Sequence, residues 1–295
     1  MSEINYFIDA LKSYQYLQNA MMAGVLVGII CGVIGCFIIL RGMALMGDAI
    51  SHAVLPGVVI AYILGFSFFI GAVVTGIITA LGIGYITQNS RIKDDAAIGI
   101  MFTAAFALGI VLITAQRGTD VHLWHILFGN VLAVSKSDLW MTLGVGSFVL
   151  MIIFLFYKQF VLSSFDPIMA QAIGLPKKLI HYTLMLLLSL VTVVSLNTVG
   201  VILVVAMLIT PGSTAYLLTD RLSVMLGLSA GFGVISSILG VYFSFIYDVA
   251  TGASIVLVAS CIFCLAFMFS PKRGVITQKI RKKIVNKKSN TQLIE

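Results

Sequence analysis

An all-α bundle of membrane-spanning helices is the fold class this sequence predicts, and three observations carry it. Hydrophobic residues make up 60% of the 295-residue chain and charged residues 10%, whereas a soluble domain carries about 25% charged residues. The apolar residues fall in long unbroken runs, not in the short alternating segments of a barrel strand. The charges cut those runs into pieces close to the roughly 20 residues that span a bilayer as helix. A soluble protein would have nowhere to hide so much apolar surface, and inside hydrocarbon only helices and closed barrels satisfy the backbone.

The elements follow in order. Residues 1–19 lack the basic start and small-residue cleavage site of a removable signal peptide. Residues 18–40 form the first uncharged run, in which Gly24, Gly28 and Gly32 recur at every fourth position, followed by Gly35. That spacing lets helices approach closely. Residues 53–90 are also uncharged and hold two spans if the first begins near Leu45. Further windows are 96–116, 139–157, Leu222–Tyr247 and 249–270, while 179–219 carries only His181 and is long enough for two spans. The total is nine spans, or eight if the piece containing Pro211 is broken or re-entrant. Residues 1–271 then form one transmembrane domain with a basic tail, 272–295, behind it.

Charge placement orients the bundle. From Lys272 onward there are eight Lys/Arg against Glu295 alone, and the rest of the chain is balanced at ten basic and ten acidic residues. The net charge of +7 is therefore a property of the tail. No folded basic face is left for nucleic acid, and a cytoplasmic anchor beside anionic lipid is the simpler reading. With the tail in the cytoplasm, nine spans put Arg41, Arg91, Lys93, Lys158, Lys177, Lys178 and Arg221 inside. Residues 117–138 and the N-terminus fall outside. The side of the N-terminus depends on the choice between eight and nine spans.

Four cysteines, Cys31, Cys36, Cys261 and Cys264, lie within apolar runs. The last two make a C-x-x-C, which in a soluble α/β context points to redox chemistry or zinc. Within a span it reads as small-residue packing, and no disulfide framework is implied.

One segment carries chemistry: RGMALMGDAISHAVLPG, residues 41–57. Asp48 and His52 are four apart and share a helix face. At 1.5 Å per residue His52 lies roughly 16 Å beyond Arg41, near the middle of a 30 Å core. Ionisable groups at that depth are costly and usually line a pathway. A carboxylate with an imidazole is a ligand set for a first-row divalent cation; it is also a means of neutralising a buried charge, or a proton relay. Ser51 is adjacent but turned about 100° away.

A second segment, residues 163–178, reads as a short helix between spans at the basic end. Asp166 is the N-cap, Pro167 the first helical residue, Gly174 the residue after the C-cap, and Pro176 prevents continuation. Its apolar residues, Ile168, Met169, Ala172 and Ile173, suit docking into a groove of a soluble partner, and equally an interfacial helix lying on the membrane.

Residues 209–221, with Pro211 and Gly212, loosely echo Pro56-Gly57. Paired Pro/Gly interruptions can mark a transporter's site; a kinked helix is the plainer account of Pro211. His122 and His125, with Asp120 and Trp124, lie in the outer loop, where they could gather metal or simply be solvated. No phosphate-binding loop of the form G-x-x-x-x-G-K-[ST] and no H-E-x-x-H are present.

The 41–57 segment resembles the hallmark of the divalent-metal permeases of bacterial ATP-binding-cassette importers, which serve manganese, zinc or iron. Asp94-Asp95-Ala-Ala-Ile-Gly-Ile, Ser164-Phe165-Asp166-Pro167, Ala172-Ile-Gly174 and Thr210-Pro-Gly-Ser-Thr-Ala-Tyr-Leu-Leu218 match in the same order, so the resemblance covers nearly the whole chain. It implies a multi-pass subunit of the bacterial cytoplasmic membrane that pairs with a second copy, two cytoplasmic ATPases and an extracytoplasmic metal-binding protein. ATP is bound by the ATPase, and the transported metal takes the place of any permanent cofactor. It places Asp48 and His52 in the metal path. It also makes 164–175 the coupling helix to the ATPase, with Phe165, Asp166, Pro167, Met169, Ala172 and Gly174 at the contact. The Thr210–Asp220 region is closest to manganese-type members, although zinc and Fe(II) accept the same O/N ligands. The reading from another class is a proton-coupled secondary metal carrier with Asp48 and His52 as its relay.

Overall fold

The computed structural model describes residues 3–115 and 131–270 together with Gly274. The described chain is helical, with no strand. In order come α1 (Glu3–Ser13), α2 (Gln15–Leu40), α3 (Met46–Ala53), α4 (Leu55–Leu64), α5 (Phe68–Asn89) and α6 (Asp94–Ala115). After a 3-10 turn at Val131–Ala133 follow α7 (Lys136–Leu155), α8 (Tyr157–Phe165), α9 (Pro167–Ala172), α10 (Lys177–Val199), α11 (Val201–Leu218), α12 (Leu222–Tyr247) and α13 (Thr251–Phe269). With α3 and α4 counted as one crossing, Met46–Leu64, nine pieces among the described residues are long and apolar enough to span a membrane. The eight-span alternative falls, because Pro211 is carried inside the continuous helix α11 and does not break it.

Side-chain links fix which helix ends lie together. Arg41, after α2, meets Ser163 and Ser164 of α8 and His181 of α10. The Ser270 hydroxyl, after α13, donates to the Leu217 carbonyl of α11. At the other end Asn19 Nδ2 donates to the Val134 carbonyl just before α7. Arg41, Lys177 and Arg221 thus share one end of the bundle, the basic end. The short helix α1, which the sequence reading does not anticipate, packs at the opposite end, where Phe7 meets the rings of Tyr242 and Phe245.

α2 and α10 form the buried centre; α6 and α13 lie at the periphery. The small-residue stripe of α2 explains how the centre closes. Gly24, Gly28 and Gly32 face Ser237, Gly233 and Ser229 of α12 in antiparallel register. A Cβ added at Gly28 would stand 2.8 Å from the Gly233 backbone. Ser237 and Ser229 each donate to a carbonyl of α2, of Gly24 and Gly32, at 2.8 Å. Without water in hydrocarbon, close van der Waals approach and interhelical hydrogen bonds supply the association energy.

The cysteines divide. Cys31 and Cys36 are buried, but Cys261 and Cys264 lie exposed on α13, so the C-x-x-C does not pack inside the bundle as expected. In a span the outward face is as apolar as the inward one, and nothing in the residue pattern separates them.

Candidate functional site

The site begins where α2 stops. Gly42 adopts φ +72°, its N–H bonds the Ile39 carbonyl, and the Met43 N–H bonds the Ile38 carbonyl at 3.0 Å. This is a Schellman closure, which needs a left-handed residue that only glycine adopts freely. The chain turns over Met43 and enters α3, which bears Asp48 in its first turn and His52 in its last. Pro56 lies in the first turn of α4. Lacking an N–H, it cannot extend the hydrogen-bond ladder of α3, and the span is split at Val54. The two prolines differ: Pro56 stands at a helix junction, and Pro211 lies inside the continuous helix α11.

Asp48 and His52 point the same way. His52 Nε2 lies 3.6 Å from Asp48 Oδ1, and the two side chains are 32% and 42% exposed respectively. That separation brings the two groups together but is too long for a hydrogen bond, so the carboxylate is not consumed by the imidazole. Two metal–ligand bonds of about 2.1 Å meeting near the tetrahedral angle span roughly 3.4 Å, so one cation fits both groups with little movement. Ser51 is buried on the other side and donates to the Gly47 carbonyl at 2.9 Å. Among the described residues no cluster of three or more His, Cys, Asp or Glu exists. The described residues of one chain thus bring two ligands together here, too few for a tight site.

Two residues that sequence reasoning missed hold the imidazole. His52 packs against Phe102 and Phe106 of α6, with ring centroids 5.6 and 5.7 Å apart; the second contact is edge-on at 79°. The two phenylalanines stack on each other at 5.9 Å. Both sit in an unbroken apolar span, where nothing in the sequence distinguishes them from lipid-facing residues.

The short helix forms as expected. Asp166 Oδ1 accepts from the Met169 N–H at 2.9 Å, Pro167 opens α9, and Gly174 at φ +83° ends it, with the Leu175 N–H bonded to the Ala170 carbonyl. Ala170 alone is buried. Phe165, Ile168, Met169 and Ile173 are exposed, Ile168 to 81%; Ala172 and Gly174 are exposed as well. Arg41 connects this region to the start of the Asp48 segment: Nε donates to Ser164 Oγ at 3.2 Å, Nη2 to Ser163 Oγ at 3.1 Å, and Nη1 lies 3.4 Å from His181 Nδ1. Burial pushes the guanidinium down to about 10, so it stays charged at neutral pH. His181, without a partner in the sequence reading, has one here. His122, His125, Asp120, Trp124 and the tail from Lys272, apart from Gly274, lie outside the described residues.

A bundle of nine helical pieces long and apolar enough to cross a membrane, counted among the described residues, defines a multi-pass membrane protein. The chain belongs to the ABC 3 transport family, whose model matches residues 13–270. It is 72% identical over 291 residues to the manganese transport system membrane protein MntC of Halalkalibacterium halodurans, covering 99% of this chain and 100% of that one. It is 50% identical over 279 residues to the manganese import system permease protein ScaB of Streptococcus gordonii, covering 94% and 100%. The solved structure of PsaBC from Streptococcus pneumoniae in complex with Fab aligns with a TM-score of 0.82 at 50% identity, over 94% of this chain and 99% of that one. The chain is accordingly a permease subunit and not an enzyme, and ATP hydrolysis belongs to a separate subunit.

Proposed function

We propose that the chain carries manganese inward across the bacterial cytoplasmic membrane, as a pair of permease copies served by two cytoplasmic ATPases and an extracytoplasmic metal-binding protein. The observation that carries this reading is the Asp48–His52 pair, close enough to share a cation yet open on the surface of a single chain. Ionisable groups deep in a membrane are costly against lipid. A second copy placed against this face covers it and doubles the ligands to two carboxylates and two imidazoles. Such a site must still bind weakly enough to release its cargo, as conduction requires. The mixed oxygen and nitrogen set suits manganese, and the names of the similar proteins support that metal over zinc and iron, which accept the same ligands. No permanent cofactor enters the reading.

The remaining assignments follow. Residues 1–271 act as one permease domain. The basic end is cytoplasmic, with the tail 272–295 beside anionic lipid. α9 is the coupling helix, its exposed Phe165, Ile168 and Met169 set into a groove of the ATPase, and Asp166, Pro167, Ala172 and Gly174 shape it. Asp48 and His52 hold metal in transit, and Pro56 splits the span beside them.

Uptake into reconstituted vesicles tests the reading. Manganese entry only with the ATPase, the binding protein and ATP all present is the expected result. Entry through this chain alone, driven by a proton gradient, would replace the importer with a secondary carrier.

A further inference from the structure

Arg41 stands between the two parts of the machinery just assigned. Its backbone caps α2, and its next residue, Gly42, starts the closed turn leading to Asp48 and His52. Its side chain reaches across the basic end to Ser163 and Ser164, at the end of α8 and two or three residues before Asp166. The third arm of the fork meets His181 in the first turns of α10. The end of α2 is thus pinned through one planar group to α8 and α10, more than 120 residues further along the chain. A cavity of about 350 Å³ lies against it, lined by Arg41, Ser163, Ser164, His181 and Pro167, the first residue of α9. The guanidinium therefore has room to exchange partners beside the coupling helix. His181 is buried at this point, with Nδ1 turned to Arg41.

We infer that Arg41 is a positioning residue that ties movement of the coupling helix to the Asp48–His52 pair. The inference rests on the importer reading above. A load on α9 reaches α8 through the Asp166 junction, passes from Ser163 and Ser164 to the Arg41 fork, and moves the Gly42–Leu45 turn that carries α3. Arginine suits the task because its fork is planar and its donors are fixed relative to one another; a lysine gathers its three donors on one freely rotating ammonium at the end of a flexible stem and cannot reproduce the spacing of the fork.

The test uses the full complex in vesicles, with ATP hydrolysis and manganese uptake measured on the same preparation. Arg41→Lys keeps the charge, and the double variant Ser163→Ala/Ser164→Ala removes two hydroxyl groups while leaving the arginine. In assembled complexes both variants keep hydrolysing ATP while metal moved per ATP falls by about tenfold, the scale of a typical coupling energy. An unchanged ratio overturns the inference, whether both rates stay normal or both fall together. Asp48→Ala separates this failure from failure of the importer reading. Normal uptake by Asp48→Ala would sink the reading itself. Loss of uptake by Asp48→Ala, with the Arg41 and serine variants still coupled, would sink the inference alone.

Discussion

His52 Nε2 stands 3.6 Å from Asp48 Oδ1 across one turn of α3, on the face of that helix left open by the single chain. The pair is close enough to share a cation and too far apart to be satisfied by a mutual hydrogen bond. Everything else at the site places this pair: the Gly42 closure starts the segment, Pro56 ends its helix, and two rings of α6 hold the imidazole.

Those rings give the first prediction. Phe106 meets His52 edge-on, and its removal frees the imidazole to rotate away from Asp48. Phe106→Ala lowers manganese uptake by about tenfold through misplacement of a ligand, with assembly intact, while Phe106→Leu, which keeps bulk, loses less. Initial uptake rates with matched membrane levels of the complex check this.

The coupling helix gives the second. Ile168 is 81% exposed on a helix in which Ala170 is the buried residue. Ile168→Asp weakens association with the ATPase by tenfold or so, as expected for an apolar anchor, and leaves the thermal stability of the permease unchanged. Titration of purified ATPase against the permease in detergent measures both.

Asp166 gives a prediction within the same helix. Its carboxylate satisfies the Met169 N–H, and loss of an N-cap costs about 1 kcal/mol. For a helix of six residues that cost is large. Asp166→Ala therefore reduces ATPase binding, and Asp166→Asn, which still accepts the hydrogen bond, restores most of it. The same titration discriminates the two.

Gly28 tests the packing account. Any side chain there meets the Gly233 backbone, so Gly28→Leu forces α2 and α12 apart and destabilises the bundle by about 3 kcal/mol. A clear drop in the unfolding midpoint of the purified chain is the expected outcome, with Gly99→Leu, where nothing lies within 4 Å, as the neutral comparison.

Much of this was legible in the sequence because charges punctuate the apolar runs. The nine windows coincide with the helices to within a few residues at their ends. Asp166, Pro167 and Gly174 announced α9 through local rules of capping, and the spacing of Asp48 and His52 put them on one face. The rest was hidden for two physical reasons. In a bilayer both faces of a span are apolar, so no periodicity marked Phe102 and Phe106 as inward or Cys261 and Cys264 as outward. Arg41 finds Ser163, Ser164 and His181 more than 120 residues away, and no local pattern encodes that meeting. Pro211 lies inside α11, as the plainer account of it has it: neighbouring helices can tolerate a proline inside a span.

The most direct test of the central claim is the initial rate of radioactive manganese uptake by the complete, ATP-supplied complex carrying Asp48→Ala or His52→Ala, at equal assembly. The account predicts that either variant abolishes uptake, since each removes one member of the Asp48–His52 pair. Uptake near the unsubstituted rate in both would contradict it and place the metal path elsewhere in the bundle.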